Sequence, residues 1–291
     1  MTAKRASKRP TPDAIPETHS GAFSIRDVGK VYDPLGASVV ALQDCSLEIA
    51  ANEFVAVVGP SGCGKSTLMN ILAGFDAPTS GAIDLDGVPL ATPDKPAKPG
   101  PDRVVVFQHG ALFPWMTVLD NVTYGLTRQG RMGKKEAAEY AHDFLQRAGG
   151  LARVAEQFPG QISSGMQRRV EFVRALINDP KILLLDEPFR AMDTVTQARM
   201  HRYLLEMNEL FPKTTMFVTH NLEEAILLSD TVVVMTTRPG RIKLKVNVDL
   251  PRPRTPAMMN TPQFLALKKQ MLSAVHEEAQ KAFERGEREM A

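Results

Sequence analysis

Nine consecutive residues carry the densest chemistry in the chain: Gly59-Pro60-Ser61-Gly62-Cys63-Gly64-Lys65-Ser66-Thr67. The glycines let the backbone curl so that successive N–H groups point into one concavity, a nest for phosphate oxygens. Lys65 is spaced to reach the β- and γ-phosphates, and the Ser66 hydroxyl to hold Mg²⁺. The flanks fit: residues 54–58 are an apolar run that reads as a buried strand, and residues 68–72 continue with helical character. A helix N-terminus there adds partial positive charge. An accidental glycine-rich turn would not bring this strand–turn–helix context, so the stretch predicts a bound nucleoside triphosphate.

A second group follows the apolar run 181–185, which ends in Asp186-Glu187-Pro188. Ligands bind at the carboxyl ends of strands in open α/β sheets. Asp186 reads as a Mg²⁺-holding carboxylate, and Glu187 is placed to polarise an attacking water. After a lone strand the same pair would be a helix cap; the upstream loop favours the functional reading. His220 ends the next predicted strand and is placed to contact the γ-phosphate, although a histidine alone is more often a hydrogen-bonded structural group. Tyr32, 27 residues ahead of Gly59, offers a ring face on which a base could stack. Packing at a strand end is the equal alternative.

The elements that must hold these residues are legible from periodicity. Strands are expected at 22–32, 42–49, 81–87, 103–107, 181–185, 215–218, 231–235 and 242–248. Between 118 and 176 the pattern turns helical, with Ala137, Ala141, Phe144, Leu145 and Ala148 on one face. In the helix over 163–176, Val170, Val173 and Leu176 are expected inward and Arg168, Arg169 and Arg174 outward. An all-helical block between strands reads as a subdomain. Residues 109–116 form an irregular apolar stretch with the only tryptophan, Trp115. A last helix over 263–285 carries a stripe of Phe264, Leu267, Met271, Val275, Ala279 and Ala282, expected to pack on its own core.

Composition bounds the rest. The 291 residues are 43% hydrophobic and 23% charged with net charge +2, ordinary for a soluble globular chain and without a field that argues for nucleic acid. Two cysteines, Cys45 and Cys63, show no metal spacing, and Cys63 within the loop suggests a reducing compartment. No apolar run is long enough to span a bilayer and the N-terminus lacks a signal-peptide core. Residues 1–21 read as a disordered basic tail.

Taken together, these parts resemble the nucleotide-binding subunit of an ATP-binding-cassette (ABC) transporter. The decisive segment is Ile162-Ser163-Ser164-Gly165-Met166-Gln167-Arg168-Arg169-Val170, which is similar to the family's signature motif. The resemblance implies an α/β fold: a P-loop NTPase (RecA-type) core with an antiparallel β subdomain and an inserted α-helical signature subdomain. It implies an ATPase domain over 22–245, the helical subdomain over about 109–176, and a C-terminal extension over 246–291. It makes Tyr32 the adenine-stacking aromatic, Gln108 the residue touching Mg²⁺ and water, Glu187 the catalytic carboxylate, Asp193 the D-loop aspartate and His220 the switch histidine. The cofactors implied are ATP and Mg²⁺. The family works as a homodimer in which Ser163 and Gly165 of one copy close over ATP held by Lys65 of the other.

Three local segments resemble the nitrate, sulfonate and taurine importers: Phe113-Pro114-Trp115-Met116-Thr117-Val118-Leu119-Asp120-Asn121-Val122, Arg238-Pro239-Gly240-Arg241-Ile242, and Thr261-Pro262-Gln263-Phe264, the last most like taurine-type members. This implies integral-membrane permease subunits as partners, docked near Trp115, a periplasmic solute-binding protein acting indirectly, and a peripheral place on the cytoplasmic face of the inner membrane. A lipid or organic-compound translocator is the alternative machine. Two positions depart from the family. Ser164 stands where glycine is usual, a strain of about 1 kcal/mol if that backbone were left-handed. Arg190 replaces a small residue near the expected dimer seam.

Overall fold

Phe54–Val58 (β3) is the strand on which the architecture is centred: all five residues are buried. A strand covered on both faces reads as a continuous apolar run, and its side chains alternate between the two cores. Val55 and Val57 point into one hydrophobic cluster, and Phe54, Ala56 and Val58 into the other. The computed structural model describes residues 20–33, 35–190 and 192–284. The tail expected over 1–21 lies almost wholly outside the described residues.

Two sheets carry the strands. The smaller is antiparallel, in the order β2 (Val39–Ile49), β1 (Phe23–Tyr32), β4 (Ser80–Leu85), β5 (Val88–Ala91). The short edge strand β5 follows a turn at Asp86-Gly87 and was absent from the periodicity reading. The larger has the order β10 (Ile242–Asn247), β9 (Thr231–Met235), β3, β8 (Thr214–Val218), β7 (Ile182–Asp186), β6 (Arg103–Val106). All its pairings are parallel except the β10 edge.

Helix α1 (Lys65–Ala73) lies between the sheets: Leu68, Ile71 and Leu72 join Val55 and Val57 with Phe23, Ile25, Leu47 and Ile83 of the small sheet. The opposite face of the large sheet is covered by α2 (Val118–Arg128), α3 (Lys134–Arg147), α4 (Ser164–Leu176), α5 (Thr194–Leu210), α6 (Leu222–Leu228) and α7 (Pro262–Glu284). Each large apolar side chain sealed in these clusters contributes roughly 1.5–3 kcal/mol. On α7, Phe264 and Met271 are fully buried and Leu267 and Val275 pack half-buried against the same cluster, so the described part of the stripe packs on the chain's own core as expected; the Ala282 side chain lies outside the described residues. Buried Arg254 ties the end of α6 down by donating to the carbonyls of Ile226, Leu227, Ser229 and Val248.

One expectation about α4 fails, and one condition raised for it is not met. Arg168 does not face outward: it is buried and paired with Glu171. A helical wheel marks it polar but cannot show that backbone carbonyls of another segment wait opposite. Ser164 is not left-handed. It opens α4 behind Ser163, an extended N-cap whose hydroxyl accepts the Met166 N–H at 3.3 Å, so its Cβ introduces no backbone strain.

Candidate functional site

In a parallel sheet all strands end on the same side, so the segments after β3, β8, β7 and β6 emerge side by side. Register sets them level: Val57 pairs with Val218, Val218 with Asp186, and Leu185 with Val106. The glycine loop therefore comes first, then Thr219 and His220, then Asp186 and Glu187, then Gln108.

The glycine loop passes into α1 through Gly64, its N-cap, at φ 91°, with Gly62 at φ 74°. A Cβ on Gly64 would fall 2.6 Å from Leu42 Cδ2 and 2.9 Å from the Ala41 carbonyl. Only glycine suits both the left-handed backbone and that approach. Ser61, Gly62 and Ser66 are exposed at the rim, while Pro60, Gly64 and Thr67 are half-buried. Buried Cys63 and Cys45 are free thiols, both pushed above the ordinary range by burial, Cys45 to about 11. Lys65 curls back over the loop, its ammonium donating to the Gly59 carbonyl at 2.8 Å and the Pro60 carbonyl at 3.0 Å. A triphosphate offers stronger, charged acceptors than these carbonyls.

Asp186 is half-buried at the end of β7. Burial, and then the neighbouring Glu187 charge, raise its carboxyl above the ordinary value against the opposing pull of Lys65. Glu187 has φ 40°, the one described left-handed residue other than Gly, Asp, Asn or Ser. Its N–H is held by the Val218 carbonyl at 2.9 Å. Oε2 lies 3.3 Å from His220 Nδ1 and 3.2 Å from Arg190 Nη1. Strain of this kind concentrates where surrounding structure over-determines a functional group. Arg190, three residues on in the same segment, is thus a direct partner of Glu187.

His220 is braced from behind by residues the sequence reading missed. Thr219 donates its hydroxyl to Glu224 Oε2 at 2.7 Å and accepts the Asn221 N–H at 3.0 Å. The buried Glu224 also meets His201 Nε2 at 3.0 Å and accepts from Gln197, both on α5. The only sequence signal for this was a capping pattern at the start of α6, where Asn221 accepts the N–H groups of Glu223 and Glu224.

Tyr32 is 39% exposed. Its hydroxyl donates to Asp76 Oδ2 at 2.8 Å, and the Lys30 ammonium sits 4.9 Å from its ring centre. Burial raises the Tyr32 phenol, with Thr67 on α1 pulling the other way. The small sheet thus brings this ring beside the glycine loop's helix. Ser163, Gly165 and Asp193 form a separate group. Asp193 caps α5, accepting the N–H groups of Val195 and Thr196. A Cβ on Gly165 would make ordinary contact with Thr196 at 3.5 Å, so the N-termini of α4 and α5 adjoin. The hydrogen bonds of Ser163 and Asp193 run to their own helices.

A family model described as "ABC transporter" matches residues 42–190. This chain belongs to the ABC transporter family. It is 44% identical over 260 residues to an uncharacterized ABC transporter ATP-binding protein of Methanocaldococcus jannaschii, covering 89% of this chain and 93% of that one. It is 42% identical over 229 residues to the nitrate import ATP-binding protein NrtD of Synechocystis sp., covering 79% and 83%. To the taurine import ATP-binding protein TauB of Jannaschia sp. it is 43% identical over 221 residues, covering 76% and 80%. Among solved structures, the dimeric post-hydrolysis ATP-binding cassette bound to ADP and Pi superposes with TM-score 0.64 at 30% identity, covering 79% of this chain and all of that one. The fold is that of an ABC ATPase cassette, the nucleotide-binding ATPase that powers transport.

Proposed function

We propose that this ABC cassette is the ATP-hydrolysing subunit of an importer for a small anion or sulfonate, of the nitrate, sulfonate and taurine type. What supports the chemistry is the level placement of Lys65, His220, Asp186–Glu187 and Gln108 at the ends of four adjacent parallel strands. The likeness to NrtD and TauB supports the transport branch.

In this reading the N–H groups of 59–67 and the Lys65 ammonium hold the phosphates, Lys65 exchanging two backbone carbonyls for phosphate oxygens. The Tyr32 ring stacks on the base. Ser66, Asp186 and Gln108 would hold Mg²⁺: hydroxyl, carboxylate and amide oxygens are the hard donors this ion takes, and burial with the adjacent Glu187 charge raises the Asp186 carboxyl, an environment that a cation would relieve. When bound, the ion neutralises charge on the β- and γ-phosphate oxygens. Glu187 orients and polarises the attacking water, and His220 at its side meets the γ-phosphate.

The pocket is completed by a second copy, whose Ser163 and Gly165 cover the γ-phosphate with Asp193 beside them. ATP therefore gains the contacts of the second copy only in the closed pair, and cleavage releases them. Trp115, 70% exposed beside Phe113, is the docking point for a permease. Among the described residues no helix is long and apolar enough to cross a membrane; the subunit sits on the permease at the cytoplasmic face, fed indirectly by a periplasmic solute-binding protein. The parts are a cassette over 22–245 with its helical insertion over about 109–176, and a C-terminal extension over 246–291.

Glu187→Gln tests the reading. Turnover is expected to fall by roughly 10²–10⁴-fold, while ATP now traps a dimer visible by size exclusion. Uptake of labelled nitrate or taurine by cells carrying only this variant is expected to stop. Parental turnover in the variant would refute the catalytic assignment; retained uptake would refute the transport assignment.

A further inference from the structure

The irregular segment 107–117 joins β6 to α2, with Gln108 near one end and Trp115 near the other. A backbone without a ladder partner must be satisfied by side chains or water. Around Gln108, two charged residues of α4 do this. Arg168 donates Nη1 to the Phe107 carbonyl at 2.8 Å and Nη2 to the Gln108 carbonyl at 2.6 Å. Nη1 also reaches Glu171 Oε2 at 2.5 Å, and Glu171 Oε1 accepts the Ala111 N–H at 2.8 Å. The two side chains are 7% and 6% exposed. A Cβ on Gly110 would lie 3.3 Å from Glu171 Oε1, so the loop fits closely over the pair.

Burying two charges costs several kcal/mol per ion before their contacts offset it, and apolar residues of similar volume often stabilise a core as well. Stability alone therefore does not account for this pair. Its specific effect is to fix the backbone on both sides of the Gln108 side chain to one turn of α4, whose N-terminus carries Ser163 and Gly165. Only a planar fork with several fixed donors spans two carbonyls and a carboxylate together.

We propose that Arg168 and Glu171 are positioning residues for Gln108, binding its loop to the helix of Ser163 and Gly165 so that both move as one piece. This rests on the assignment of Gln108 to Mg²⁺, and the test separates the two.

The full chain is prepared as Arg168→Gln, as Gln108→Ala and as the double variant. Two quantities are read: amide hydrogen exchange of residues 107–112, and the Mg²⁺ concentration giving half-maximal ATP turnover. Arg168→Gln is expected to speed exchange of 107–112 without altering β7 or α1. It is expected to raise the Mg²⁺ requirement by about tenfold, the usual effect of losing an outer support of a metal ligand, with the ATP requirement unchanged. Gln108→Ala is expected to raise the Mg²⁺ requirement too, and adding Arg168→Gln to it should add nothing. Where Arg168→Gln folds poorly, Arg168→Lys, which keeps the charge and loses the fork, is read in its place. Additive effects in the double variant, or a freed loop with an unmoved Mg²⁺ requirement, overturn the proposal. A parental Mg²⁺ requirement in Gln108→Ala overturns the assignment of Gln108 instead.

Discussion

Tyr32 shows how a single side chain divides into separable parts. Its hydroxyl is spent on Asp76, whose carboxyl burial would raise but which Lys30, Tyr32 and the Ala77 N–H together hold below its ordinary value. Its ring stays 39% exposed. If the face stacks on adenine, Tyr32→Ala should weaken ATP binding by about 1–3 kcal/mol, roughly 5- to 150-fold. Tyr32→Phe should bind nearly as the parent. A fluorescent ATP analogue measures both, and unchanged affinity in the alanine variant would leave Tyr32 a packing residue. At this scale the sequence was informative where chemistry forces spacing. Lys65, Ser66, Asp186, Glu187 and His220 could be named because a phosphate nest and strand-end carboxylates demand fixed neighbours. The left-handed backbone of Glu187, and the meeting of Arg190 and His220 on its one carboxylate oxygen, could not, because the 187–190 turn and the end of β8 come together only in the fold.

Elements show the opposite balance. Strands and helices were readable from period, since core faces repeat; what polar residues do on those faces was not. Glu278 lies on the buried face of α7, in line with Phe264 and Met271, and is 3% exposed. It accepts from Lys243 at 2.8 Å, Lys281 at 2.9 Å and the Thr237 N–H at 3.3 Å. Arg168 is the same case on α4. The Thr237 end matters because the turn that follows packs on the glycine loop: a Cβ on Gly240 would fall 2.2 Å from the Cys63 carbonyl. Burial pushes the Glu278 carboxyl up, but Lys243, Lys281 and the Thr237 N–H outweigh it and hold it below its ordinary 4.5. A carboxyl depressed in the folded state contributes stability that is complete above its unfolded pKa and lost as pH falls through the folded value. Glu278→Gln should therefore lower Tm at pH 7 by a few degrees, for a loss of about 1–3 kcal/mol. The two melting curves should converge as pH drops below about 4.5. Parallel Tm–pH profiles would count against this anchor.

Across the whole molecule, composition and element order made an α/β cassette legible, while strand order, the β5 edge and the antiparallel return of β10 required the coordinates. The Lys65 loop and the Ser163–Gly165 turn stand on separate parts of the chain, so a shared pocket makes a sharp prediction about mixtures. Lys65→Ala removes the phosphate cation and leaves the α4 terminus intact. Gly165→Asp leaves Lys65 intact and sets a carboxylate where the partner's triphosphate must come; an acid in the first turn of a helix is favourable, so folding is spared. Each variant alone forms only dead pairs. Mixed in equal amounts, half the pairs combine the two, and each such pair holds one pocket with both a sound loop and a sound turn. Turnover should then reappear at about a quarter of the parental rate if pockets act independently, and fade on dilution as pairs separate. Silence across a concentration series in which dimers form would mean that each chain completes its own site, and the shared pocket would have to be abandoned.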